Sequence, residues 1–100
     1  MRMYKPLPDS LTIQTSKVNG LGLFAKQGIA QGTNLGTTHI KVGEEILRTP
    51  LGGFINHANE ANCVKVDLRD ERYTKKWNLI TIRNIRAGEE LTLQYTFYNV

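Results

Sequence analysis

The stretch GGFINHANEANC, residues 52–63, gathers Asn56, His57, Asn59, Asn62 and the chain's only cysteine, Cys63, directly behind two glycines. Few loops hold so many polar groups able to make specific contacts. Four readings compete: a metal site, a Cys–His nucleophile, a ligand-binding turn, or an ordinary loop. The choice among them decides how the rest of the chain is read.

At 100 residues the chain is one domain. A domain of this size buries only about 60–65% of its unfolded surface, so its core is modest. A dimer interface or a bound ligand would add buried area and support it. The net charge of +4 favours acidic surfaces. The basic residues are dispersed along the chain, which argues against a nucleic-acid binder. A single cysteine excludes an internal disulfide and fits a reducing compartment or indifference to redox. No apolar run approaches 18 residues, so no transmembrane span is expected. The start, MRMYKPLPDS, lacks an apolar signal core and reads as a short arm over residues 1–9. The expected location is the cytoplasm, or the nucleus for a eukaryotic or eukaryote-infecting source.

Strand patterns dominate. Leu11, Ile13 and Thr15 alternate with Thr12, Gln14 and Ser16. Leu21, Leu23 and Ala25 follow a turn at Asn19-Gly20, a pair that favours positive φ. Val64, Val66 and Leu68 alternate with Lys65, Asp67 and Arg69. Trp77 and Leu79 lead into Ile80 and Ile82. Leu91, Leu93 and Tyr95 alternate with Thr92, Gln94 and Thr96. Only a helical turn or two around Leu51–His57 is expected. The charged segment DLRDERYTKK, 67–76, reads as an exposed hairpin loop. A unit Ile-x-x-Gly-x-x-Leu/Ile recurs at 29–35, 40–46 and 85–91. In each, an apolar residue ends one strand, glycine turns the chain, and the next apolar residue starts another. The fold class is therefore mainly β, compact and turn-rich.

The sharper chemistries mostly fail on residue counts. GLGLFA, 20–25, formally fits a dinucleotide fingerprint, but no amphipathic helix follows to receive a pyrophosphate. Its glycine pair still lets a ligand approach the backbone closely, as a simple tight turn would also explain. Structural zinc needs four ligands, and the Cys and His available are His39, His57 and Cys63. A Cys63–His57 dyad lies six residues apart in one loop, which is poor geometry, and Cys63 opens an apolar strand. A buried structural cysteine is the better reading. The strand AGEELTLQYTFY, 87–98, ends in Tyr95, Phe97 and Tyr98. Such a cluster packs a core, or places a tyrosine hydroxyl where it can polarise an amine.

Taken in order, GLGLFA, FINHANEANC and GEELTLQY resemble the SET-domain protein-lysine methyltransferases. That family carries a Gly-x-Gly turn, then Asn-His-Ser-x-x-Pro-Asn-Cys, then Gly-Glu-Glu-Leu-Thr-x-x-Tyr. The likeness spans roughly residues 10–98, in a minimal form without flanking zinc segments. It implies a SET-domain, β-clip-like fold of several small sheets over residues 10–100, closed by a C-terminal pseudoknot that brings Tyr95 beside Asn56 and His57.

The resemblance also implies an activity: transfer of a methyl group from S-adenosyl-L-methionine, in line, to a lysine amine of a protein, histones and other basic proteins included. By similarity Asn19, Gly20, Leu21 and Gly22 contact the cofactor, with Leu23 and Phe24 nearby. Asn56, His57 and Tyr95 join them. Tyr95 is the catalytic tyrosine. Leu93, Phe97 and Tyr98 are candidates for the substrate channel, with Leu91 beside them. No metal is implied. A protein substrate and a second copy of the chain are the expected partners; a membrane and nucleic acid are not. Some positions depart from the pattern. Ala58 and Ala61 replace serine and proline, Gly53 stands where arginine is frequent, and Gln94 replaces an aspartate. A non-catalytic SET-like β module that binds a protein or ligand is the alternative function.

Overall fold

The computed structural model describes residues 7–70 and 73–94, without the side chains of residues 68–70, 73 and 74. Strand β1 (Leu11–Thr15) and strand β2 (Leu21–Ala25) form an antiparallel hairpin with Leu11 opposite Ala25 and Ile13 opposite Leu23. The alternation in both strands sets this register, since a one-residue slip would turn the buried Leu11, Leu23 and Ala25 to the other face. Between them Gly20 takes φ +47°, the conformation that the Asn-Gly pair favours.

Strand β3 (Asn34–Val42) and strand β4 (Glu45–Arg48) make a second hairpin across a two-residue turn. Helix α1 (Pro50–Phe54) follows at once. Thr49 caps it by accepting from the Gly52 N–H at 3.3 Å, and Pro50 occupies the first helical position, where a missing N–H costs nothing. Helix character ends at Phe54; Asn56–Ala58 is extended as strand β5, where a turn or two of helix through His57 was expected. Strand β6 (Cys63–Asp70) and strand β7 (Tyr73–Thr81) are antiparallel. Here the loop expected over 67–76 is corrected. The ladder runs out to Asp70 opposite Tyr73, and opposite charges line it, with Lys75 Nζ 3.8 Å from Asp67.

Strand β8 (Glu90–Gln94) ties these hairpins together, giving the order β1-β2-β8-β6-β7-β3-β4, with β5 attached to β8. The small ladders thus join into one curled, mainly β path. The recurring Ile-x-x-Gly unit explains part of the closure. Ile29 and Ile85, heads of the first and third copies, exchange two backbone hydrogen bonds of 2.8 Å. The glycines of all three copies, Gly32, Gly43 and Gly88, turn the chain at φ +85°, +60° and +90°. The core collects Leu11, Leu23, Leu51, Cys63, Leu79, Leu91 and Leu93 among its buried members.

His39 of β3 is enclosed with them, 6% exposed, its Nδ1 3.0 Å from Thr38 Oγ1 and its ring edge-on to Trp77. Burial first, then the charges of Lys65, Arg48 and His57, lower its pKa from 6.5 to about 4. The folded state therefore refuses a proton that the unfolded state accepts below pH 6.5. This contribution to stability is complete above pH 6.5 and is lost as the pH falls towards 4. We expect urea unfolding at about pH 4.5 to show a loss on the order of 2–3 kcal/mol relative to pH 7 from this group. His39→Gln should flatten that dependence. An identical pH profile in the variant would contradict the assignment.

Candidate functional site

The site is built where β8 lies against two strands at once. β5 runs parallel to β8, with Asn56 opposite Thr92, His57 opposite Leu93 and Ala58 opposite Gln94. β6 meets β8 at Cys63 and Leu93, also in parallel. Asn62 fixes the approach. Its Nδ2 donates to the Glu90 carbonyl at 2.9 Å, and its Oδ1 accepts the Thr92 N–H at 2.8 Å. One buried amide thereby replaces a rung of backbone ladder that the loop before Cys63 could not supply.

The strand start brings in a second polar centre. The Glu90 carboxylate accepts from Ser16 Oγ, 2.8 Å from both of its oxygens, and from Asn56 Nδ2 at 2.9 Å. Asn56 Nδ2 also lies 3.1 Å from the Asn19 carbonyl and 3.3 Å from that of Leu21. Ser16 in turn accepts from the N–H groups of Val18 and Asn19 at 2.9 and 3.3 Å. The turn 16–22, the start of β8 and the start of β5 are therefore one hydrogen-bonded unit, with a carboxylate at its centre. Gly22 permits it: a Cβ there would run into Glu90 Oε2. Asn19, Gly20, Leu21, Gly22 and Asn56 thus come together, and Leu21 offers an apolar side chain that is 51% exposed.

His57 is exposed as a residue, yet partial desolvation of its ring, and then the charge of Lys65, lower its pKa and favour the neutral form. Cys63 is fully enclosed, and burial pushes its thiol up to about 12. No thiolate forms near neutral pH, so the Cys–His nucleophile has no nucleophile. Leu93 and Leu91 lie in the core, 1% and 0% exposed. Ala61, where the resemblance has proline, is buried at 4%, and Gly53 faces open space. Tyr95, Phe97 and Tyr98 lie outside the described residues. Among the described residues no three His, Cys, Asp or Glu side chains group as metal ligands.

The family model for the SET domain matches residues 38–96, more than half of the chain. The chain belongs to the SET-domain family. The matched segment includes Asn56, His57, Glu90 and Tyr95. Among solved structures, this SET domain is similar to a Plasmodium falciparum protein described as a "putative histone methyltransferase". The likeness has a TM-score of 0.76 at 17% identity and covers 91% of this chain and 96% of that one. At that identity it shows a shared fold. No curated protein matches the chain in sequence.

S-adenosylmethionine, which SET-domain methyltransferases use in general, fits the groups present. The sulfonium and α-amino group are cationic, and the Glu90 carboxylate is the anion at the centre of the turn. The exposed Leu21 offers apolar surface, and Asn56 and the turn offer polar groups. Three contributors escaped the sequence reading. Ser16 looked like the polar partner of an alternating strand. Glu90 was visible only as a letter in GEEL, although an acid opening an alternating strand was the available signal. Asn62 was legible as structural, but not as the clamp on β8.

Glu90 could yield to a side chain at Gly22 only by giving up its hydrogen bonds to Ser16 and Asn56. Gly22→Ala should therefore cost about 1–3 kcal/mol in chemical denaturation. In a Glu90→Ala background the same substitution should cost at least about 1 kcal/mol less. Additive costs would show that the two positions do not compete for space.

Proposed function

We propose that this SET domain is an S-adenosylmethionine-dependent protein-lysine N-methyltransferase. The observation that carries the reading is the parallel pairing of β5 with β8. It places the strand that leads into Tyr95 alongside Asn56 and His57, with the glycine turn hydrogen-bonded to the same strand start. The family match and the shared fold support the same class. In this reading the segment after Gln94 passes the Asn56–Ala58 strand as a pseudoknot.

S-adenosylmethionine, when bound, supplies a methyl group already activated by the sulfonium. What the chain must provide is alignment and a lysine with a free lone pair. The lysine nitrogen would have to shed its proton before it could accept that methyl group. A dry, apolar channel disfavours the ammonium form and so favours that deprotonation. Phe97 and Tyr98 are the proposed wall of that channel; Leu93, 1% exposed, belongs to the core. The Tyr95 hydroxyl would aim the amine and stabilise the developing charge. Asn19, Gly20, Leu21 and Gly22 would cradle the cofactor by backbone contacts. Asn56 would do so with its amide, and His57 through its backbone, its ring helping to hold the crossing chains.

Labelled S-adenosylmethionine and a panel of proteins, with the modified residue mapped, test the reading. Tyr95→Phe should lower transfer at least about 100-fold while calorimetry shows cofactor binding within a few-fold of wild type. Asn56→Ala should weaken cofactor binding about tenfold. Transfer unchanged in Tyr95→Phe would reject the catalytic assignment. Cofactor binding without transfer to any protein would favour the non-catalytic module.

A further inference from the structure

One face of the β4-β3-β7-β6 sheet carries a cluster of positive charge that the chemistry above does not use. Residues directly opposite in an antiparallel ladder point to the same face. Arg48 is opposite His39, His39 opposite Trp77, and Trp77 opposite Asp67. Lys41 is opposite Lys75 on the same face, and Lys65 precedes Asp67 by one strand repeat. The contacts agree with the register. Lys75 Nζ lies 5.9 Å from the Trp77 ring centre, and the His39 and Trp77 rings meet edge-on at 6.5 Å. Lys65 and Arg48 both act on His39, and Lys65 acts on His57 as well.

Four cations thus share a face with Trp77: Lys41, Arg48, Lys65 and Lys75. Among the described residues the register places two acidic positions on this face, Asp67, already 3.8 Å from Lys75, and Asp70, opposite Tyr73 at the outer end of the ladder. Opposed like charges such as Lys41 and Lys75 cost stability unless something answers them. The patch also leads into the site already described. Leu93 pairs with both His57 and Cys63, and Lys65 is the next residue on the face of β6 that Cys63 occupies.

We propose that this cationic face, Lys41, Arg48, Lys65 and Lys75 with Trp77, selects acceptor lysines flanked by acidic residues. The proposal rests on the reading of the adjoining site as a lysine methyltransferase. Dimensions favour a peptide. Four adjacent strands span about 14–15 Å, the length of about four extended residues. Carboxylates in such a segment complement the four cations, while a polybasic tail meets like charge. A nucleic-acid duplex spreads its charge along a rod and would meet this compact patch over only a short stretch.

The test uses the full chain and three peptides with the same acceptor lysine, flanked by Asp and Glu, by Ser and Ala, or by Lys and Arg. Fluorescence anisotropy at low salt should show the acidic peptide binding at least about tenfold tighter than the basic one. The contrast should shrink at about 0.5 M salt. Arg48→Glu with Lys75→Glu, both at exposed positions, should abolish or reverse the order while the far-UV circular dichroism spectrum stays that of wild type. No preference, a preference for the basic peptide, or tighter binding of a short DNA duplex overturns the proposal. Methyl transfer to the same peptides is read separately. If the acidic peptide is preferred in binding but no peptide is methylated, the face stands and the transferase reading fails. If the basic peptide is methylated with equal or higher kcat/KM, the transferase reading stands and the proposed selectivity fails.

Discussion

The structure depends on five residues of β8 satisfying three neighbours at once. Glu90 and Leu91 complete the hairpin β1–β2, Leu93 meets β6, and Thr92 to Gln94 run parallel to β5. Antiparallel pairs close locally, but parallel pairing demands that distant segments arrive side by side. The pairing is held by burial of Leu91 and Leu93 and by the Asn62 amide bonded to the β8 backbone on both sides of Leu91. Without that clamp the loop before Cys63 would leave Thr92 N–H and the Glu90 carbonyl facing a gap in the ladder.

The same strand start supplies the carboxylate that organises the turn. Glu90 holds Ser16 and Asn56, Ser16 holds the backbone of Val18 and Asn19, and Gly22 leaves room for the contact. Such a network is cooperative, and in a partly enclosed site each bond to the charge is worth more than a neutral one. A rigid turn and a rigid Asn56 have less conformational freedom to lose when a ligand binds. The consequence for function is a site whose shape is set by folding.

Much of the fold was legible because its signals are local. Alternation marked β1, β2, β6 and β8, an apolar run from Trp77 marked the second half of β7, and the repeated Ile-x-x-Gly unit marked the turns at Gly32, Gly43 and Gly88. The charged run over 67–76 misled, because cross-strand pairing of Asp67 and Lys75 lets charged residues extend a ladder. Of the site, Asn56 and the glycine turn could be picked out by resemblance to a motif. What brings them together could not be read in this way. Ser16 and Glu90 are 74 residues apart, and nothing local in either stretch names the other as its partner. The cationic face escaped for the same reason: its lysines and arginine are dispersed in sequence and gathered only by the register of four strands.

The central claim is that the 19–22 turn, β5 and the start of β8 form one site for S-adenosylmethionine. Amide chemical-shift mapping of the labelled protein, titrated with that compound, tests it most directly. Saturable shifts should concentrate at Asn19 to Gly22, at Asn56 and His57, and at Glu90 to Gln94. Saturable shifts confined to other strands, or none at all, would contradict it.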